Sequence, residues 1–345
     1  MRTNGMRSRS VLAIAALGAG LCGCPGASPV APAEADAAPA PRWTLLRDAL
    51  DRIPVCVWGT SPDDVLVGGG SFGAGGGALL MRWDGATLTE VPTGRTESIW
   101  WLHGVSSRDF WAVGENGLAL HWDGQRFTTV PTGTTATLYG VWAATATDVW
   151  AVGGTASGSG PNDVLLHYDG VAWKLVTVPS PANATFFKVW GRSANDVFVV
   201  GQGGALHYDG VTWTREPLPG ISLFTVHGGA RGVYAIGGPP PTLLRRDGAG
   251  WSPVRVPEDM SGIMSGVYVD ADAVHMVGER HQRFRFDGQA TFLDDSAAGA
   301  ESLARVDLHA VWGDGRGGAF AVGGNYMMLG SPGTKPRGAV LRFGK

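Results

Sequence analysis

Eight histidines are the most versatile groups in the chain, since a neutral imidazole can hold a metal or relay a proton near neutral pH. His121, His167 and His207 stand two residues before an Asp-Gly pair, and Arg82, Arg245, Arg285 and Arg342 hold that place in other repeat copies. A basic group that recurs copy after copy suits a structural duty better than catalysis. Its expected partner is an aspartate of the neighbouring strand: Asp64, Asp109, Asp148 or Asp196. His103 and His227 replace Trp58, Trp142, Trp190 and Trp312 at another repeated position, where a core role is expected. Gly69-Gly70-Ser71-Phe72-Gly73 spells a nucleophile elbow, but that elbow needs a strand-to-helix turn. The overlapping Gly68–Gly73 run spells a dinucleotide fingerprint with no helix behind it. There is no His-Glu-x-x-His, no metal-spaced cysteine pair and no EF-hand loop, so neither metal nor cofactor is expected.

The three cysteines are Cys22, Cys24 and Cys56. Arg2, Arg7 and Arg9 precede an apolar run over Val11–Leu21, the length of a signal h-region and too short to span a bilayer. Leu21-Cys22-Gly23-Cys24 then resembles a bacterial lipoprotein box, and the resemblance makes Cys24 the lipidated residue. Processing at that point removes residues 1–23 and leaves 24 basic against 30 acidic residues, a net charge of −6. With Cys24 acylated, Cys56 has no partner, and no internal disulfide is expected. Residues 25–41 carry no aromatic, are rich in Pro and Ala, and read as an extended tether after the modified cysteine. Pro25 in place of Asp, by resemblance to known sorting signals, points to the outer membrane.

The elements that must position these groups are strands. Gly and Pro supply 54 and 21 of the 345 residues, and 14 Trp outnumber both Tyr and Phe. Charged residues are 17 % and hydrophobic ones 44 %, ample for a core and too apolar for disorder. The near balance of charge excludes an electrostatic footprint for nucleic acid. Asp-Gly recurs at 84, 123, 169, 209, 247 and 287, each time after a short apolar strand. A second phrase, Val189-Trp190-Gly191 to Gly201, returns with variations to make seven copies of about 40 residues. Each copy divides into four strands. Strand a ends in the Val-Trp-Gly phrase, strand b is the Asp-Val-Phe-Val-Val-Gly phrase, strand c precedes Asp-Gly, and strand d follows it. Asp-Gly between strands predicts a type I′ hairpin turn.

Four strands repeated seven times predict an all-β, seven-bladed β-propeller over residues 42–345, since one such unit cannot bury both of its faces. The seventh copy supplies strands a, b and c, ending at Val340–Phe343. Arg42-Trp43-Thr44-Leu45-Leu46 is a strand d without preceding a, b or c, and Trp43 matches the strand-d aromatics Trp173, Trp213 and Trp251. The N-terminal strand is therefore expected to complete the last blade.

These phrases resemble secreted bacterial lipoproteins with WD40/YVTN- or BNR-like propeller repeats. Asp169-Gly170-Val171-Ala172-Trp173 and Asp209-Gly210-Val211-Thr212-Trp213 are similar to sialidase Asp-boxes, with histidine where those carry Ser. The resemblance implies a binding scaffold and is silent about its partner. The favoured reading is a non-catalytic, monomeric module for an envelope protein or glycan, anchored to the membrane by its lipid. The alternative is an envelope glycoside hydrolase or lyase at the channel mouth, which requires ionisable groups of several blades to converge. Arg95, Arg192, Arg231 and Arg280 are the arginines available for a sialidase-like cluster. Binding groups are expected on the b–c and d–a loops, where the copies differ. The longest, 324–338, offers Tyr326, Met327, Met328 and Leu329 as partner-binding residues, either as an exposed patch or as a plug over the mouth.

Overall fold

The computed structural model describes residues 41–345 except 74, 156–161, 180–183, 217, 219, 249, 290, 294–305, 329–333 and 345. Its strands form seven separate four-stranded antiparallel sheets. Blade 1 spans Ile53–Ser61, Asp64–Gly70, Ala78–Trp83 and Leu88–Glu90 as strands a to d. Strand a of the following blades begins at Ile99, Thr137, Phe186, Leu223, Met264 and Asp307. The seventh sheet contains Asp307–Gly313, Ala319–Gly324 and Gly338–Gly344, and its outer strand is Arg42–Leu50. Trp43 pairs with Phe343 and Leu45 with Leu341, the closure anticipated from Trp43. The strand runs four residues further than Leu46, to Leu50, with two irregularities after Leu45.

Alternating Val, Leu, Phe and Trp give each blade two apolar faces. Among the described residues these faces collect into seven buried clusters, one at each interface between neighbouring blades. The Val-Trp-Gly phrase is explained there. A Cβ on Gly191 would stand 2.5 Å from the indole of Trp142 in the preceding blade, and one on Gly59 2.8 Å from Trp312. Tyr268 over Gly313 and Trp190 over Gly228 repeat the arrangement. The aromatic of each such blade needs the next blade to have no side chain at that point.

The basic group before Asp-Gly plays the expected structural part. Nε2 of His121, His167 and His207 lies 2.8, 2.7 and 2.8 Å from a carboxylate oxygen of Asp109, Asp148 and Asp196. Arg82 reaches Asp64 at 2.8 Å in blade 1. The three imidazoles also stack on Trp111, Trp150 and Phe198 of strand b.

The Asp-Gly turns differ from the type I′ expectation. That turn needs positive φ at both central residues. Here only the glycine has it, at φ 94° for Gly85, 91° for Gly124 and Gly170, and 92° for Gly210. The aspartate keeps negative φ because its carboxylate can do something better. Asp84 Oδ1 accepts the N–H groups of Ala86 and Thr87 at 2.9 and 2.7 Å, and Asp123, Asp169 and Asp209 do the same two and three residues on. These bonds hold the carboxyls of Asp84, Asp123 and Asp209 below the usual range.

Candidate functional site

Strand a is the innermost strand of each blade, and it is irregular at the same place in all seven. The pairing with strand b slips by one residue between Pro54 and Cys56, and likewise at 99/101, 138/140, 186/188, 223/225, 264/266 and 308/310. Each slip is a β-bulge that leaves one residue outside the ladder and re-aims its side chain. The bulged residues are Val55, Trp100, Tyr139, Phe187, Phe224, Ser265 and His309. All of them except Val55 line a cavity of about 200 Å³ on the face of the b–c and d–a loops.

In four successive blades the bulged residue is aromatic. Trp100 meets Tyr139 edge to face at 4.9 Å between ring centroids, Tyr139 meets Phe187 at 5.6 Å, and Phe187 meets Phe224 at 5.5 Å. This crescent continues through the loops: Phe72 of blade 1 lies 4.8 Å from Trp100, and Tyr326 of blade 7 lies 5.5 Å from it. The cavity is smaller than the roughly 300–1,000 Å³ of sites that enclose a drug-sized ligand. It suits one side chain or a ligand of similar size.

The expected partner-binding residues separate here. Tyr326 is half-buried and turns inward against Phe72, Trp100 and His309. Burial pushes its hydroxyl up to about 12. Met328 faces outward with 43 % of its surface exposed. Met327 shares their short 3₁₀ turn. Leu329 and Cys24 lie outside the described residues.

Ionisable groups from blades 3, 4, 6 and 7 border the cavity: Tyr139, Lys188, Glu279, Asp307, His309 and Tyr326. Lys188 is 5 % exposed, and its Nζ sits 3.0 Å above the ring centre of Trp101 and 3.4 Å from the Tyr139 carbonyl. Desolvation drives its amine well below the ordinary lysine range. Burial, and then Lys188, hold His309 down at about 4, and its Nδ1 lies 2.6 Å from the Val55 carbonyl. Burial pushes Asp307 up, although its Oδ1 accepts the Arg280 N–H at 3.1 Å. Among the described residues no hydrogen bond joins any two of these side chains.

The four arginines of the sialidase-like expectation do not converge. None borders the cavity. Arg95 pairs with Glu97 at 2.6 Å, Arg192 with Asp196 at 3.0 Å, and Arg231 donates to the Ala271 carbonyl at 3.2 Å. Ser71, the serine of the elbow spelling, is 3 % exposed and is followed by a turn and then strand Ala78–Trp83. Cys56 is a buried free thiol, pushed up to about 12 by its burial.

Comparison with known proteins identifies the fold. The chain is similar to YCF48 from Cyanidioschyzon merolae, with a TM-score of 0.62 at 14 % identity over 88 % of this chain and 98 % of that one. It is similar to a structure of YCF48 bound to D1 peptide, with a TM-score of 0.63 at 14 % identity over 90 % and 99 %. The β-propeller domain of Cps50 (Swd1) from Myceliophteria thermophila aligns with a TM-score of 0.58 at 12 % identity over 85 % and 98 %. No protein-family model and no curated protein matches the sequence. The chain is a seven-bladed β-propeller. At these identities the kinship is one of fold, and the aromatic crescent is described from this chain alone.

Proposed function

We propose that this propeller is a non-catalytic scaffold that binds an envelope protein by taking one of its apolar side chains into the aromatic mouth. The bulge-borne crescent of Trp100, Tyr139, Phe187 and Phe224 carries this reading. Aromatic side chains grouped around a desolvated pocket dominate the energetics of protein interfaces. A glycan would need many convergent hydrogen-bonding groups, whereas Lys188, Ser265 and His309 bond backbone carbonyls and Asp307 accepts a backbone N–H. One of the similar structures is YCF48 bound to D1 peptide, which supports a protein or peptide as the class of ligand.

Peptide arrays covering envelope proteins test the site. Segments that bind the chain should present an aromatic or branched aliphatic residue, and Trp100→Ala with Phe187→Ala should weaken them at least tenfold while the melting curve stays single and cooperative. Equal binding by the double variant would remove the mouth from the interface.

The address belongs to the same proposal: residues 1–23 are the lipoprotein signal, Cys24 carries the lipid, and residues 25–41 tether the propeller to the outer membrane. Cys24→Ser should release the protein from the membrane fraction, because one acylated residue is its only anchor. A serine variant that still sediments with membranes after a high-salt wash would defeat the anchor.

A further inference from the structure

Lys188 is one of four lysines, with Lys174, Lys335 and Lys345. It occupies the repeat position immediately after the bulge, where other blades carry Cys56, Trp101, Gly140, Thr225, Gly266 and Ala310. An ammonium there gives up its hydration, which disfavours the charged form. Among the described residues no carboxylate lies within ion-pair distance of it to compensate. The face of Trp101 and a 3.4 Å contact to the Tyr139 carbonyl, long for a hydrogen bond, offset only part of that loss. Desolvation therefore favours the uncharged amine, whose lone pair is then available at the cavity. A desolvated lysine amine at the edge of an aromatic cavity is the arrangement that makes lysine a nucleophile towards carbonyl compounds.

We infer that the cavity is a reversible covalent site, in which Lys188 forms an imine with a small aromatic or apolar aldehyde stacked on the crescent. The Nζ lone pair attacks the carbonyl carbon, and the C=O π pair moves to oxygen, which takes a proton from nitrogen. The carbinolamine then loses its hydroxyl together with the second Nζ proton as water, and the C=N bond forms. Amine and aldehyde become imine and water, with no oxidant or reductant. The cavity volume admits one ring and its carbonyl, whereas a carboxylate ligand would meet Glu279 and Asp307, which border the same cavity. The aldehyde would occupy the same cavity as the partner's side chain, but the trapping experiment reads the amine alone, so the two readings can fail separately.

The test is reductive trapping of the full chain with benzaldehyde and sodium cyanoborohydride at pH 7, followed by peptide mapping. Lys174 and Lys335 are exposed internal references. They should react slowly, and Lys188 should gain its benzyl group at least tenfold faster. In denatured chain that advantage should vanish. A native Lys188 that reacts no faster than Lys174 and Lys335 overturns the inference. So does a Lys188 that resists trapping while sodium benzoate binds with uptake of one proton, which would make the site an anion receptor.

Discussion

A chain lacking residues 42–50 is expected to lose its single cooperative melting transition and to self-associate. That segment is the outer strand of the last blade, and it pairs with Gly338–Gly344 over its whole length. Trp43 is 2 % exposed and sits in the cluster between the sixth and seventh blades with Val277, Val311 and Leu341. Truncation of one buried Trp to Ala typically costs about 3–5 kcal/mol, against roughly 5–15 kcal/mol for the whole stability of a domain. Deletion removes the Trp and also uncovers a flat apolar edge through Ala339, Val340 and Leu341, a template for pairing with another chain. Calorimetry and size-exclusion chromatography provide the check. A deletion variant that melts within about 2 °C of the parent and elutes as the same species would show that the ring does not depend on this closure.

Acidification should unfold the propeller steeply between pH 6.5 and 4. Burial holds His103 down at about 4, His227 at about 3 and His309 at about 4. His103 and His227 each accept a backbone N–H from the next blade, from Ala143 at 3.1 Å and Val269 at 3.0 Å, and only an unprotonated Nδ1 can accept. Their folded values lie below the unfolded one, so the unfolded chain binds more protons throughout this window. The stability contributed by the neutral rings is complete above pH 6.5 and is lost as the pH falls towards 4. Three such groups correspond to a slope of up to roughly 4 kcal/mol per pH unit. Urea titrations at pH 7, 6, 5 and 4.5 measure it, and replacing all three residues by Gln should flatten the curve. Constant stability from pH 7 to 5 would refute the assignment.

The blade count was legible because every copy solves the same packing problem with the same letters. Val-Trp-Gly recurs since the aromatic of one blade lies on the glycine of the next, as with Trp142 on Gly191. The closing strand was legible through Trp43, whose partner Phe343 holds the place that Tyr168 holds opposite Trp173. The Asp-Gly turns misled because dipeptide statistics describe backbone tolerance, whereas here the Asp carboxylate itself binds the turn. The mouth was legible only through Tyr326, on a loop singled out by its length. Trp100, Tyr139, Phe187 and Phe224 escaped because they lie upstream of the repeated phrase. Strand alternation also assigns each residue a face on the assumption of an unbroken ladder. Their one visible signal is an aromatic at the same offset in four successive copies.

A residue at a bulge belongs to no rung of the ladder, so its identity carries no part of the strand registry. Around the mouth the six bulged residues that line it, Trp100, Tyr139, Phe187, Phe224, Ser265 and His309, form a combination lock with one tumbler in each of six blades. Turning a tumbler alters what the keyhole admits while the blades keep their pairing. The shape and chemistry of the mouth can thus change by single substitutions that leave the blade pairing intact.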